Sequence, residues 1–220
     1  MARAADRLAD VTARIAKAAT LAGREAGEVT LIAVSKTHDA EAIRPLLDAG
    51  HRDFGENRVQ EAQLKWPALL KEFPDARLHM IGQLQSNKAE DAAALFDVIH
   101  SVDRKSLVKA LGKAVEQVGR TPETFLQVDI GDEDQKGGCP IDGIDALAEQ
   151  MRAAGVAPTG LMCIPPAGTE SAPYFALLRK LRDERGLPGL SMGMSADFET
   201  AVMLGATHVR VGTALFGARG

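Results

Sequence analysis

Leu8, Val11, Ile15, Ala18 and Ala22 recur at steps of three and four residues, the spacing that gathers apolar side chains on one face of an α-helix. Gly23 and Gly27 predict where that helix stops. The period then changes. VTLIAVSK (29–36) is a compact β-branched apolar run, the pattern of a strand buried on both faces. Ile43, Leu46 and Leu47 restore helical spacing within 39–50.

This strand-then-helix unit repeats along the chain. HRDFGEN (51–57), LHMIG (78–82), DVIHSV (97–102), TFLQVDI (124–130), APTGLMCI (157–164), LSMGM (190–194) and THVRVG (207–212) complete a set of eight candidate strands. Between them, helices are predicted over 58–72 and 87–95, around Leu107, Leu111 and Val115, around Ile144, Leu147 and Met151, and over 173–186 and 196–204. Strands alternating with helices pair in parallel through right-handed crossovers, and eight of them in 220 residues favour closure into a (β/α)8 TIM-type barrel. The extra N-terminal helix precedes the barrel. An open doubly wound sheet is the alternative, weakened because neither GxGxxG nor GxxxxGK[ST] follows the first strand. No proline- or serine-rich linker interrupts the pattern, so one domain is expected over 1–220.

Composition narrows the partners. Hydrophobic residues make up 45% of the chain and charged residues 25%, which fits a folded globular domain. No apolar run approaches the ~20 residues of a membrane-spanning helix. The opening MARAADRLAD carries charge where a signal peptide is apolar, and Asp6 and Asp10 argue against a transit peptide, so a cytoplasmic protein is expected. With 26 basic against 30 acidic residues and no basic block, an electrostatic nucleic-acid surface is not expected. A small-molecule ligand fits better. Cys139 and Cys163 lie far apart without CxxC spacing, which predicts free thiols. His38, His51, His79, His100 and His208 show no HExxH or paired metal spacing, so scattered structural or surface roles are expected and no metal is indicated. A hydrolase triad built on Ser35, Ser191 or Ser195 is not expected.

In such a barrel the strand C-termini and the loops after them build the ligand site. The polar residues found there are Ser35 and Lys36, Glu56 and Asn57, Gln83, His100, Asp129, Ser191 and Ser195, then Arg210, Gly212 and Thr213. Lys36 ends an apolar run, which puts an amine at the barrel mouth where it can form an imine with an aldehyde; a lysine snorkelling to water is the plainer reading. RVGTALFG (210–217) has the glycines and threonine that let backbone amides cradle a phosphate, a site these barrels often carry after strands seven and eight. Ser191 is placed to add a hydroxyl. The loop 131–140, with three glycines and Lys136 among acids, reads as a surface loop or a lid.

AVSKTHDAEAI, FGENRVQEAQLK, HMIGQLQSNK, VDI-GDEDQKGG, GLMCIPP, LSMGMSADFE and VRVGTALFGAR run in order over nearly the whole chain. Together they resemble the pyridoxal phosphate homeostasis proteins, which share the barrel of the fold-type III alanine racemases. The resemblance implies one barrel binding pyridoxal 5'-phosphate as a Schiff base on Lys36. It implies that Ser191, Gly212 and Thr213 hold the phosphate, that Arg210 faces the pyridine nitrogen, and that Asn57 lies near the ring. Met80, Gln83 and Ala196 depart from the family pattern, where phenylalanine, proline and aspartate are usual. Members of the family have no established turnover and are linked to keeping the vitamin B6 cofactor and amino and keto acids in balance.

An arginine at the pyridine nitrogen leaves it unprotonated and weakens the electron sink. Two-base racemisation also needs a proton carrier on the opposite face, which alanine racemases supply as a tyrosine from a second domain. The one tyrosine here, Tyr174, falls on the helix after the sixth strand. A cofactor carrier is therefore expected, a monomer in this reading, with apo pyridoxal enzymes as acceptors and no catalytic residues assigned. An amino-acid racemase is the first alternative, and a class I aldolase-type barrel the second.

Overall fold

Every apolar run singled out above becomes a strand. The computed structural model describes residues 3–133 and 137–217, and its strands are β1 (Thr30–Val34), β2 (Asp53–Glu56), β3 (Arg77–Met80), β4 (Val98–Val102), β5 (Glu123–Gln127), β6 (Pro158–Met162), β7 (Gly189–Met194) and β8 (His208–Val211). Each pairs in parallel with its sequence neighbour, and β8 returns to pair with β1, closing a TIM-type (β/α)8 barrel. The open sheet is thereby excluded.

Nine α-helices surround the barrel among the described residues: α1 (Ala4–Leu21), α2 (Ala40–Asp48), α3 (Val59–Glu72), α4 (Ala89–Leu95), α5 (Lys105–Val118), α6 (Ile144–Ala153), α7 (Ala172–Asp183), α8 (Phe198–Met203) and α9 (Thr213–Phe216). Local signals set their ends. Asp39 caps α2 by accepting from the Ala42 amide at 2.9 Å, and Gly119 ends α5 with the left-handed φ of 69° that glycine tolerates. The run 124–130 is strand only as far as Gln127. Beyond it the Asp129 amide donates to the Cys139 carbonyl at 2.9 Å, so the chain pairs with its own loop.

Two layers of packing follow from strand alternation. Leu31, Ala33, Phe54, Leu78, Ile99, Leu126, Leu161, Leu190 and Val209 face outward and form one core with the helices. Inside the barrel, Val98, Phe125 and Met162 make a separate small cluster. A Cβ on Gly160 or Gly189 would come 2.5 or 2.6 Å from the Phe125 ring, so those glycines make room for it. The rest of the interior is unusually polar for this fold, where branched aliphatics dominate: His79, His100, Ser191 and Arg210 are all buried.

The N-terminal helix is fastened beside the barrel mouth. Its apolar stripe buries Val11, Ile15 and Ala18. Arg14 makes two hydrogen bonds to Glu199 at the start of α8, at 3.1 and 2.9 Å, and lies over the Phe198 ring. Arg7 donates to the Leu215 carbonyl in α9. No helix among the described residues is long and apolar enough to cross a membrane.

Candidate functional site

Lys36 follows β1 in a turn that is held from below. Thr37 adopts a left-handed φ of 65°, a costly conformation for a β-branched residue, and its amide donates to Glu61 Oε1 at 2.6 Å. Lys65 Nζ donates to the carbonyls of Ser35 and His38 and to Glu61, each at 2.9 Å. It also pairs at 2.9 Å with the buried Glu56, which accepts from Ser35 Oγ at 2.5 Å and Trp66 Nε1 at 3.0 Å. Burial pushes the Glu56 carboxyl up from its usual range, against the pull of these donors. Ser35 and Glu56 are thus spent on the turn. Lys36 itself, half-buried, is left pointing at a cavity.

That cavity, about 340 Å³, opens at the C-terminal ends of the strands. Lys36, His38, Asn57, Ser195, Arg210, Gly212 and Thr213 supply its polar wall, and Val34, Ile81, Ile164, Met194 and Ala196 its apolar one. Five of the six residues picked from the sequence therefore meet in one place. The Gly212 amide donates to Ser195 Oγ at 3.2 Å, and the opening amides of α9 carry no side-chain cap. A Cβ on Gly212 would meet only Val34, at 3.4 Å, so the protein's own packing leaves that space open to a ligand.

Ser191 is the exception. It lies within β7, fully buried, and does not line the cavity. Arg210 donates through Nη1 to Ser191 Oγ at 2.7 Å and through Nη2 to the Cys163 carbonyl at 2.9 Å, so Ser191 stands behind Arg210 and the hydroxyl at the mouth belongs to Ser195. Gly193, at φ 92° and with no room for a Cβ beside Ala201 (2.5 Å), makes the turn that brings Ser195 there. Burial lowers the Arg210 pKa from its ordinary value.

The histidines also differ from expectation. Three of the five converge inside the barrel: His79 and His100 are 3.0 Å apart between Nδ1 and Nε2, and the His208 ring lies 5.7 Å from that of His100. Burial holds His100 well below the usual imidazole range and His208 down at about 3. His38, two residues beyond Lys36, stacks on Phe216 at 4.3 Å and forms part of the cavity wall. Only its nearness to Lys36 in sequence could have marked it. No group of residues able to hold a metal ion is found among the described residues.

The remaining candidates take other roles. Gln83 donates to Gln127 at 2.8 Å, and Gln127 in turn to the Gly137 carbonyl at 2.6 Å, tying the loops after β3 and β5 to the end of β5. Asp129 accepts from the Glu133 amide at 3.3 Å. Burial raises both thiols, Cys139 to about 11 and Cys163 to about 12, so both stay protonated. Lys136 lies outside the described residues. A second, polar cavity of about 630 Å³ adjoins the first at Asn57 and includes Arg58, Gln60, Gln83, Gln85 and Lys88.

Comparisons with known proteins identify the family. Residues 7–220 match the family described as alanine racemase, N-terminal domain. The pyridoxal phosphate homeostasis protein of Pseudomonas aeruginosa is 44% identical, over 100% of this chain and 97% of that protein. Its namesake in Escherichia coli K12 is 37% identical, over 98% and 96%. Among solved structures, PipY of Synechococcus elongatus, determined with PLP bound and without it, is 42% identical with a TM-score of 0.81, covering 92% of this chain and 100% of that one. Alanine racemase from Streptomyces coelicolor, at 21% identity and a TM-score of 0.68 over 59% of its own chain, shares the fold. The chain belongs to the pyridoxal phosphate homeostasis protein family.

Proposed function

We propose that the chain binds pyridoxal 5'-phosphate in the cavity at the barrel mouth, with Lys36 as the point of covalent attachment, and that it serves the homeostasis of that cofactor as its relatives' name states. The observation that carries this reading is a primary amine, without a hydrogen-bond partner among the described residues, facing the same cavity as Ser195, Gly212 and Thr213. When bound, the cofactor supplies an aldehyde that condenses reversibly with a primary amine, releasing water. Everything else is the work of the chain's own groups. The Lys65 and Glu61 clamp fixes the turn that aims Lys36. Ser195 and Thr213 offer hydroxyls and the uncapped start of α9 offers backbone amides to a phosphate beside Gly212, with Ser195 taking the role first expected of Ser191. Arg210, which only donates, suits a ring nitrogen that accepts, and Asn57, which lines the cavity, is read as lying near the ring.

Purified protein mixed with pyridoxal 5'-phosphate is expected to develop a visible absorption band that survives gel filtration and is lost in Lys36→Ala. A wild type that stays colourless with the cofactor in excess overturns the reading. We further read the chain as a cytoplasmic monomer that passes the cofactor to apo pyridoxal enzymes. Transfer to such an enzyme, followed by recovery of the acceptor's activity, tests the delivery step. Rapid solvent deuterium exchange at the α-carbon of added amino acids would instead favour a racemase.

A further inference from the structure

Arg210 is a buried guanidinium that touches no carboxylate among the described residues: its contacts are the Ser191 hydroxyl at 2.7 Å and the Cys163 carbonyl at 2.9 Å. Ser191 leads further into the barrel. Its Oγ lies 2.8 Å from His100 Nδ1, His100 Nε2 lies 3.0 Å from His79 Nδ1, and His79 Nε2 lies 3.0 Å from Asp53 Oδ1. An unbroken hydrogen-bonded file thus runs from the cavity wall to the other end of the barrel, where the Asp53 side chain is 24% exposed.

The two ends dictate its direction. A carboxylate only accepts, so Asp53 requires a proton on His79 Nε2. A neutral His79 then accepts at Nδ1 from His100 Nε2–H, and a neutral His100 accepts at Nδ1 from the Ser191 hydroxyl. That leaves the Ser191 oxygen to accept from Arg210, which only donates. Each link points the same way, so the dipoles of Ser191, His100 and His79 add, with their negative end toward the Arg210 guanidinium and their positive end toward the Asp53 carboxylate. His100 is further braced by the Phe125 ring, stacked on it at 4.7 Å.

We propose that Asp53, His79, His100 and Ser191 are positioning residues for Arg210: a one-way hydrogen-bond file that fixes where the guanidinium points and lets a carboxylate at the far end of the barrel act as its counter-charge. The proposal concerns the free protein and rests on the cofactor reading only for its binding arm. The charged and titratable neighbours of the file are His208 and Arg77 beside His79 and Asp53, His51 beside Asp53, and Cys163 and Asp197 beside Arg210.

Long-range proton–nitrogen correlation spectra of the cofactor-free protein, labelled with nitrogen-15 at histidine, read the tautomers directly. At pH 7.5 both His79 and His100 are expected to be neutral with the proton on Nε2. A proton on His100 Nδ1, or an imidazolium at either residue, overturns the proposal, and this measurement needs no variant. Asp53→Asn keeps the shape but removes the charge that sets the direction. His100 is then expected to show mixed tautomers, and the Kd for pyridoxal 5'-phosphate to rise roughly three- to thirtyfold. An unchanged His100 tautomer in Asp53→Asn overturns the proposal whatever the cofactor does. A wild type that takes up no cofactor fails the reading of the previous subsection and leaves the tautomers to decide this one.

Discussion

Single residues at this site are held by charges that are themselves buried. Lys65, whose side chain is 9% exposed, stands between the fully buried Glu56 and the backbone of the Lys36 turn. Removing one member of such a pair leaves the other charge uncompensated, at a cost of about 3 to 5 kcal/mol. Lys65→Met is therefore expected to lower the free energy of unfolding by about 3 kcal/mol, measured by urea titration, and to weaken cofactor retention because the turn loosens. Lys65→Met with Glu56→Gln together should recover part of that stability. At this scale the sequence was partly legible. Lys36, Asn57, Arg210, Gly212 and Thr213 each end a strand run or follow one, and barrel topology alone sends such residues to the mouth. Ser191 and Ser195 could not be ranked that way. Four residues of strand are about 13 Å, enough to move a hydroxyl from the barrel interior to its rim, and the choice turns on where β7 stops and Gly193 bends.

Between elements, the fit of β5, β6 and β7 depends on missing side chains. Gly160 and Gly189 are register partners, and both accommodate the edge of Phe125. Gly160→Ala would also place its Cβ 2.4 Å from the Gly189 carbonyl oxygen, which backbone cannot yield without shifting the ladder. Overpacking of this kind typically costs about 1 to 3 kcal/mol, and the loss is expected at the upper end, read as a fall in Tm. Phe125→Leu should soften it by freeing the space. The alternation of apolar runs announced all eight strands, because each run is buried on its outer face by a helix whose period was equally plain. The convergence of His79, His100 and His208 was hidden, since they sit on β3, β4 and β8 and meet only when the ring closes.

For the whole molecule, the buried imidazoles link stability to pH. His208 is held at about 3 by burial and His100 is also held down, whereas an unfolded histidine takes its proton near pH 6.5. Between those limits the unfolded chain binds more protons than the folded one, so stability is fullest above about pH 6.5 and declines as the pH falls. Each such imidazole contributes a slope of about 1.4 kcal/mol per pH unit. Urea unfolding followed from pH 7 to 5, where most carboxylates remain ionised in both states, is expected to show this decline, and His208→Gln should make it shallower by roughly one proton's worth. A flat profile in the wild type would contradict the burial of these rings.

The seam between β1 and β8, with Ile32 beside Arg210 and Ala33 beside Val211, has a consequence for biosynthesis. Lys36 leaves the ribosome well before Arg210, Gly212 and Thr213, which share its cavity. A growing chain therefore displays the Lys36 amine long before it owns the far wall of the cavity. The cavity is whole only once β8 docks beside β1, so under the proposed function cofactor capture is expected to follow closure of the barrel.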